Sequence, residues 1–487
     1  MTLLHHFSDI IHKFEKTRLL CLGDVMMDCF IYGNVQRISP EAPVPVFSVA
    51  RKTYVLGGAG NVVRNLAMLG VNVSFSALVG NDYAGEQVAS LLQELGKVKA
   101  ELYKDQNRPT TLKTRYIAGG QQLMRADQET TITLSSQHQQ EIKDYFKKSM
   151  DDVDGVILSD YHKGFLAPDL LRELIKIAKE KGKTIIVDPK GHDYSIYKGV
   201  TILTPNVKEL AQATRMPVST PEEVVEAARY LMSQFNFENV LVTRGAQGMA
   251  LVTKTDEPYF IEAHALEVYD VSGAGDTVIA VLSASLAAGA DIKEAVRLAN
   301  IAAGIVVAKV GTATVTRNEL TSQLEQEEGG LPQEKVLSWQ ELADRMIDWH
   351  RRGLKVGFTN GCYDLIHSGH LSLLGQAKTR CDRLVVGLNT DASVSRLKGP
   401  TRPVNKEQDR AFVLASLTNV DAVVLFDQDT PLDLIKHMRP DLLVKGEDYT
   451  LDKVVGAQEV MSWGGTVFLA ELKDGYSTTN TIKKLSA

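Results

Sequence analysis

The chain has 487 residues, 54 Lys and Arg against 60 Asp and Glu, 44% hydrophobic residues and 23% charged ones. This composition excludes a disordered or collagen-like chain and is long enough to bury a sizeable core. The net charge of −6 argues against a dedicated nucleic-acid binder, which carries a basic excess or stripe. No apolar run reaches the 18 or more residues of a spanning helix, and the N-terminal stretch has no secretory layout. The four cysteines (Cys21, Cys29, Cys362, Cys381) form no CxxC pair. The expectation is a cytoplasmic protein with reduced thiols and neither nucleic acid nor membrane as partner.

In chain order, LLCLGDV, VSFSALVG, GVILSD, TIIVDPK, VTILTPN and NVLVTRG read as strands, several apolar throughout, with helical segments such as LLRELIKIAKEKG between them. Apolar strands alternating with helices predict a parallel sheet covered on both faces. Residues 318–338, NELTSQLEQEEGGLPQEKVLS, are rich in Gln and Glu and read as a linker. Beyond it KVGFTNG, RLVVGLNTD, AVVLFD, LLVKGED and TVFLAEL repeat the pattern over a shorter length. The expected division is 1–318, a linker 319–338, and 339–487, both parts α/β. Ligands in such sheets bind beyond the carboxyl ends of the strands, where the polar, Gly-rich tails of these runs fall.

In the first part, Asp270-Val-Ser-Gly273-Ala274-Gly275-Asp276 opens a long helix. Gly273 and Gly275 allow close backbone approach, and a helix N-terminus favours an anion. Asp276 in the first turn then suits a base that takes the proton of an attacking hydroxyl while the helix end holds a phosphoryl group. The other reading is a first-turn dipole partner with glycines that serve packing. The run Arg37-Ile-Ser-Pro-Glu-Ala-Pro-Val-Pro-Val46 is too Pro-broken for a central strand and reads as an edge strand or lid. Arg37, Lys113 and Arg125 are cations that a phosphorylated substrate would need, with solvated surface charge as the competing reading.

These residues resemble the PfkB/ribokinase carbohydrate kinases over about residues 10–318. Four motifs stand in the family's order: Gly23-Asp24 with Asp28, Gly57-Gly58-Ala59-Gly60-Asn61, Asn206-Val207-Lys208-Glu209, and Asp270 to Asp276, with Val271 where the family has Thr. The resemblance implies a ribokinase-like domain, a central mostly parallel sheet with a small β lid. It implies that Asp24 and Asp28 hold sugar hydroxyls, with Gly57, Gly58 and Asn61 closing that side. Asn206 and Glu209 would organise Mg2+ and its waters around the ATP phosphates, Glu209 acting through water. Lys208 and Arg244 would face the nucleotide, or form exposed salt bridges. Asp276 would be the general base, and the amides from Gly273 through Ala274 to Gly275 the anion hole.

In the second part, Phe358-Thr-Asn-Gly-Cys-Tyr-Asp-Leu-Ile-His367-Ser-Gly-His370 places two histidines at a helix N-terminus, where imidazoles and amides can hold phosphate oxygens together. A metal pair and a structural pair are the alternatives; no third ligand stands at a convincing spacing. The arrangement resembles the cytidylyltransferase-like nucleotidyltransferases, with a smaller Rossmann-like HxGH domain. It implies that His367 and His370 stabilise triphosphate charge with no covalent intermediate. Thr359, Asn360, Asp391, Lys398, Lys445, Ser477, Thr478 and Thr479 would line the nucleotide pocket. Glu447 replaces an expected glycine and Tyr363 an expected Phe.

A sugar kinase beside a nucleotidyltransferase implies phosphorylation at the anomeric carbon. RISPEAPVPV, LSDYHKG, VYDVSGAGDT, TNGCYDLIHSGH, SRLKGPTRPVN and DGYSTTNTIKK extend the resemblance over the whole chain, to the family of bifunctional heptose 7-phosphate kinase / heptose 1-phosphate adenylyltransferases. That implies ATP as substrate of both halves, heptose phosphates as the small-molecule partners, ADP-heptose for lipopolysaccharide core as product and, from related kinases, a homodimer. The competing reading is a kinase for another sugar phosphate joined to a CTP-using transferase.

Overall fold

The computed structural model describes residues 3–264, 268–309, 311–328, 332–351 and 353–471. The chain divides into two compact units, Met1–Leu324 and Glu325–Ala487.

The first unit is built on a nine-stranded sheet. Its strands run, edge to edge, Tyr259–Ile261, Met249–Thr253, Asn239–Thr243, Ile202–Leu203, Thr184–Asp188, Gly155–Ser159, Arg18–Gly23, Asn72–Gly80 and Val98–Asp105. All neighbours are parallel except the two pairs involving Met249–Thr253. The inner strands are buried along nearly their whole length, as their continuous apolar sequences require. Helices fill both faces. Ala274–Ala287 is apolar almost all round and has ten successive buried residues, Asp276 to Ser285, because it lies inside the protein against the helix Ile292–Val307.

The chain leaves Arg18–Gly23 toward Asn72–Gly80 on one side and later returns to Gly155–Ser159 on the other. This reversal opens a crevice at the carboxyl ends of Arg18–Gly23 and Gly155–Ser159. Beside it stands a second sheet, in the order Pro45–Gly58, Val25–Ile38, Leu112–Ala118 and Gln121–Gln128. The Pro-rich run forms the turn between its two longest strands, and Pro45–Gly58 is an edge, as the prolines require. Asp24 alone separates the last residue of the main-sheet strand from the first of the lid strand Val25–Ile38.

The second unit holds a six-stranded, all-parallel sheet in the order Val336–Leu337, Ala422–Phe426, Arg383–Asn389, Val356–Gly361, Leu442–Gly446 and Thr466–Ala470. Its reversal lies between Val356–Gly361 and Leu442–Gly446.

The stretch read as a linker carries structure over most of its length. Residues Arg317–Glu328 form a helix whose Leu320 and Leu324 are buried in the core of the first unit, and Val336–Leu337 is an edge strand of the second sheet. Two leucines four residues apart anchor one helical face, which the Gln- and Glu-rich composition masked. Leu320→Ala is expected to lower the stability of the first unit by about 2–5 kcal/mol, where a solvated linker would register almost nothing. Circular dichroism during denaturation checks this. Fluorescence of the three tryptophans (Trp339, Trp349, Trp463), all in the second unit, is expected to keep its midpoint.

Candidate active sites

In the first unit the site is assembled from strand ends and the start of a helix. Gly273 caps the helix Ala274–Ala287 with φ 81°, a left-handed conformation, and a side chain there would meet Asn61. Beyond the position a Gly275 side chain would take, the space is open, so a ligand can reach a helix end whose first-turn amides lack intrahelical partners. Asp276 is buried. Its Oδ2 accepts a hydrogen bond from Asn61 Nδ2 at 2.8 Å and its Oδ1 one from the Tyr161 hydroxyl at 2.5 Å. Burial pushes its carboxyl up to about 6, against the two hydrogen bonds that pull it down, with the nearby Asp28 adding to the rise. A carboxylate poised near the working pH suits a general base.

Asp28 lies on the lid strand, its Oδ1 2.5 Å from Arg115 Nη1. A side chain at Gly57 would sit 2.4 Å from Asp28 Oδ2, and Gly58 is left-handed, so both glycines are required where the lid meets the helix carrying Asn61. Asp24, expected to hold sugar hydroxyls, is buried. Its carboxylate accepts from three backbone amides of one loop, those of Tyr161 and Lys163 at 3.0 Å and of Phe165 at 3.1 Å.

Along the same sheet edge, Asn206 and Glu209 form a reciprocal capping box at the start of the helix Val207–Thr214. The other Glu209 oxygen accepts from Lys190 Nζ at 2.7 Å. Asp188 stands on the strand between; burial, Asp276 and Glu209 hold its carboxyl well above the usual range. Lys208 is exposed, Val207 packs on the core, and Arg244 sits at the next strand end, hydrogen-bonded to Gln247 and stacked on Phe260. A β-bridge joins Asn206 to Thr243, which sets the chain ends that carry Asn206 and Arg244 side by side. Three strand intervals of about 4.8 Å, roughly 14 Å, separate the Asp24 end from the Asn206 end.

The lid cations divide. Lys113 pairs with Asp127 and Glu129 at 3.6 Å, and Arg125 is exposed and bonded to Asp127. Arg37 is exposed nine residues beyond Asp28 on the same strand, roughly 30 Å away at 3.3 Å per residue. The cation of that sheet bonded to a predicted site residue is Arg115.

In the second unit, His367 caps the helix Ser368–Lys378 and stacks on His370, ring centroids 3.9 Å apart. The His367 amide donates to His370 Nδ1 at 3.4 Å. Burial and the neighbouring imidazole push His370 down to about 4, so its imidazole is neutral near pH 7. Lys445 is the penultimate residue of the strand across the sheet reversal, with Nζ 2.5 Å from Asn360 Oδ1 and 3.2 Å from the Asn360 carbonyl. Burial brings it down to about 8. Thr359 is buried and hydrogen-bonded to Tyr363, which is the polar use of a Tyr where Phe was expected.

Asp391 is held by a group the sequence did not signal. The buried Arg410 donates to Asp391 Oδ1 at 2.7 Å and to the carbonyls of Cys362, Asn389 and Asn405 at 2.6, 2.9 and 3.0 Å. Lys398 is exposed at its helix end, its charge acting on Cys362. Glu447 is exposed and its amide donates to the Ala470 carbonyl. Ser477, Thr478 and Thr479 lie outside the described residues.

Comparison with known proteins agrees with this division. The pfkB family carbohydrate kinases match residues 16–319 and the cytidylyltransferase-like family residues 358–484. Arabidopsis thaliana ribokinase, solved with ribose and ATP, shares the fold at 21% identity and TM-score 0.51, covering 63% of this chain and 99% of its own. Fold and motifs thus define a carbohydrate kinase joined to a nucleotidyltransferase. Bifunctional protein HldE of Paramagnetospirillum magneticum is 52% identical over 100% of both chains, and that of Caulobacter vibrioides 51% identical over 97% of this chain and 98% of its own. The chain belongs to this bifunctional HldE family, and it works in ADP-heptose synthesis as heptose kinase and adenylyltransferase.

Arg410→Met is expected to leave three carbonyls and Asp391 without their donor, costing the second unit about 3–5 kcal/mol. Tryptophan fluorescence during denaturation reads this. In the transferase, kcat/KM for ATP is expected to fall as pH rises through about 8, where Lys445 loses its charge. Lys445→Arg should remove that alkaline limb, and its persistence there would assign it to another group.

Proposed function

We propose that the first unit phosphorylates D-glycero-β-D-manno-heptose 7-phosphate at carbon 1 with ATP, and that the second transfers AMP from ATP to the heptose 1-phosphate, releasing pyrophosphate. The observation that carries the kinase reading is Asp276. It has both oxygens oriented by neutral donors, lies in the first turn of a buried helix beside open space at Gly275, and faces the Asp28 side of the crevice. In this reading Asp276 takes the proton of the anomeric hydroxyl as its oxygen attacks the γ-phosphorus and ADP leaves. The helix end from Gly273 to Gly275 receives the charge of the transferred group.

Asp28 would then orient the sugar, and the Asn61 Oδ1, buried without a hydrogen-bond partner, supplies a further acceptor for a hydroxyl. ATP would lie along the sheet edge toward Asn206 and Arg244; ATP is bound in the ribokinase that shares this fold. Among the described residues no group of three or more His, Cys, Asp and Glu could hold a metal ion directly. The hard oxygens of Asp188 and Glu209, with Asp188 short of positive charge, fit Mg2+ held through water. The ion would offset charge on the ATP phosphates.

In the second unit His367 and His370 would hold the triphosphate, gaining protons as its charge arrives, while Lys445 meets the α-phosphate during attack by the sugar phosphate. The late Ser477, Thr478 and Thr479 would close the pocket. A homodimer through the lid is consistent with the exposed Ile38 and Val49 on its two longest strands and Val44 in the turn between them. No described helix is long and apolar enough to cross a membrane.

Phosphorus NMR of full-length protein with Mg-ATP and the heptose 7-phosphate, beside ribose and fructose 6-phosphate, tests the assignment. A 1,7-bisphosphate that becomes ADP-heptose once a phosphatase is added is the expected result; turnover of another sugar alone would discard the substrate. Asp276→Asn is expected to cut the kinase by about 10²–10⁴-fold and spare the transferase, and His370→Ala to cut the transferase by about 10²–10³-fold and spare the kinase. Loss of both activities from either change in folded protein would overturn the separate-site reading.

A further inference from the structure

We propose that Tyr161 is a positioning residue for the kinase base: its hydroxyl orients the Asp276 carboxylate and is itself set by Asp24, which acts from behind the site rather than on the sugar. This rests on the reading of Asp276 as the base.

Three observations carry it. Tyr161 Oη and Asn61 Nδ2 donate to opposite oxygens of Asp276, so the plane of the carboxylate is fixed while each oxygen keeps room for the substrate proton. Asn61 is held in turn: Asn65 Nδ2 donates to its carbonyl at 2.9 Å, and Thr277 donates to Asn65 Oδ1 at 3.1 Å. Tyr161 has no such helix beneath it. It stands in a loop containing two left-handed residues, His162 at φ 58° and Gly164 at φ 91°, and such a loop keeps its shape only if its surroundings impose it.

Those surroundings are charged groups. The Asp24 carboxylate accepts from the amides of Tyr161, Lys163 and Phe165, and Asp160 Oδ1 from that of His162 at 2.7 Å. Arg108 donates to the Lys163 and Ile132 carbonyls at 2.9 Å. Asp24 thus places the Tyr161 backbone, and Tyr161 reaches Asp276, 115 residues further along the chain.

The groups acting on Asp276 give the sign of the test. Asp28 from the lid strand raises its carboxyl; Asp188 from a neighbouring strand end and Cys21 from the strand beneath are held up partly by its charge; the Tyr161 and Asn61 hydrogen bonds pull it down. Removing the Tyr161 hydroxyl therefore moves the base upward from about 6.

The test uses full-length protein and the pH dependence of kcat/KM for the heptose 7-phosphate. In Tyr161→Phe the acid limb is expected to move to higher pH and kcat to fall roughly tenfold, with KM for ATP and the transferase rate unchanged. Asp24→Asn should shift the limb in the same direction, and the double variant should be no worse than the poorer single one. An unmoved limb in Tyr161→Phe, a change confined to sugar KM, or additive losses in the double variant would overturn the proposal. If Asp24→Asn does not fold, Tyr161→Phe decides alone. Asp276→Asn separates the two readings: an active variant removes the base assignment itself, whereas an inactive one beside an unmoved Tyr161→Phe limb removes the positioning role alone.

Discussion

The kinase unit depends on one buried carboxylate accepting three amides. Asp24 is the single residue between a central strand of the main sheet and the first strand of the lid. Its amide donates to the Ser159 carbonyl and its carbonyl accepts from Ala59, while its side chain holds the loop after the next strand. Five hydrogen bonds therefore converge on the residue where main sheet, lid, helix and loop meet. A buried polar group is costly unless satisfied, and once satisfied it specifies one arrangement of everything it touches. Gly23 belongs to the same constraint, since a side chain there would lie 2.3 Å from the Ser159 carbonyl and part the two strands whose ends form the crevice.

The second unit solves the same problem with the opposite charge. Arg410, buried on a helix of its own, ties together the loops that follow Val356–Gly361 and Arg383–Asn389. Nearby, Asp364 accepts from Arg402 and from the amides of Val404 and Asn405. A parallel sheet supplies strand ends but no rigidity beyond them; the loops that carry chemistry are made precise by buried ions with several fixed partners.

The strands of both main sheets were legible because they are apolar throughout and bounded by Gly, Asp or Asn. The lid strand Gln121–Gln128 lies in a stretch that reads as β-rich, although all eight of its residues are exposed and nothing in its composition marks burial. The linker reading failed in part for a related reason, two leucines being enough to seat a helix. Asp276 and the histidine pair could be read because each motif is local, a few residues at a helix start. Tyr161, Asp188, Lys190 and Arg410 could not be assigned roles, because each acquires its role from partners elsewhere in the chain, as Tyr161 does from Asp276, 115 residues away. Asp24 was found for a motif it does carry, yet its hydrogen bonds could not be foreseen, since the amides it accepts lie in a loop 137 to 141 residues distant.

Both sites share an electrostatic design that follows from burial. Burial raises the Asp276 carboxyl to about 6 and holds that of Asp188 well above its usual range, while it brings His370 down to about 4 and Lys445 to about 8. A protein that held these groups fully charged and mutually paired would pay for desolvating ions twice, once on folding and again when the ligand displaced their partners. On the proposed assignments, a cation accompanying ATP would stabilise the carboxylates of the first site, and triphosphate oxygens would draw protons onto the imidazoles of the second. If these groups act as proposed, affinity, protonation and catalytic readiness are coupled through the same few residues, and substitutions that alter burial around them act on the pH profile before they act on the fold.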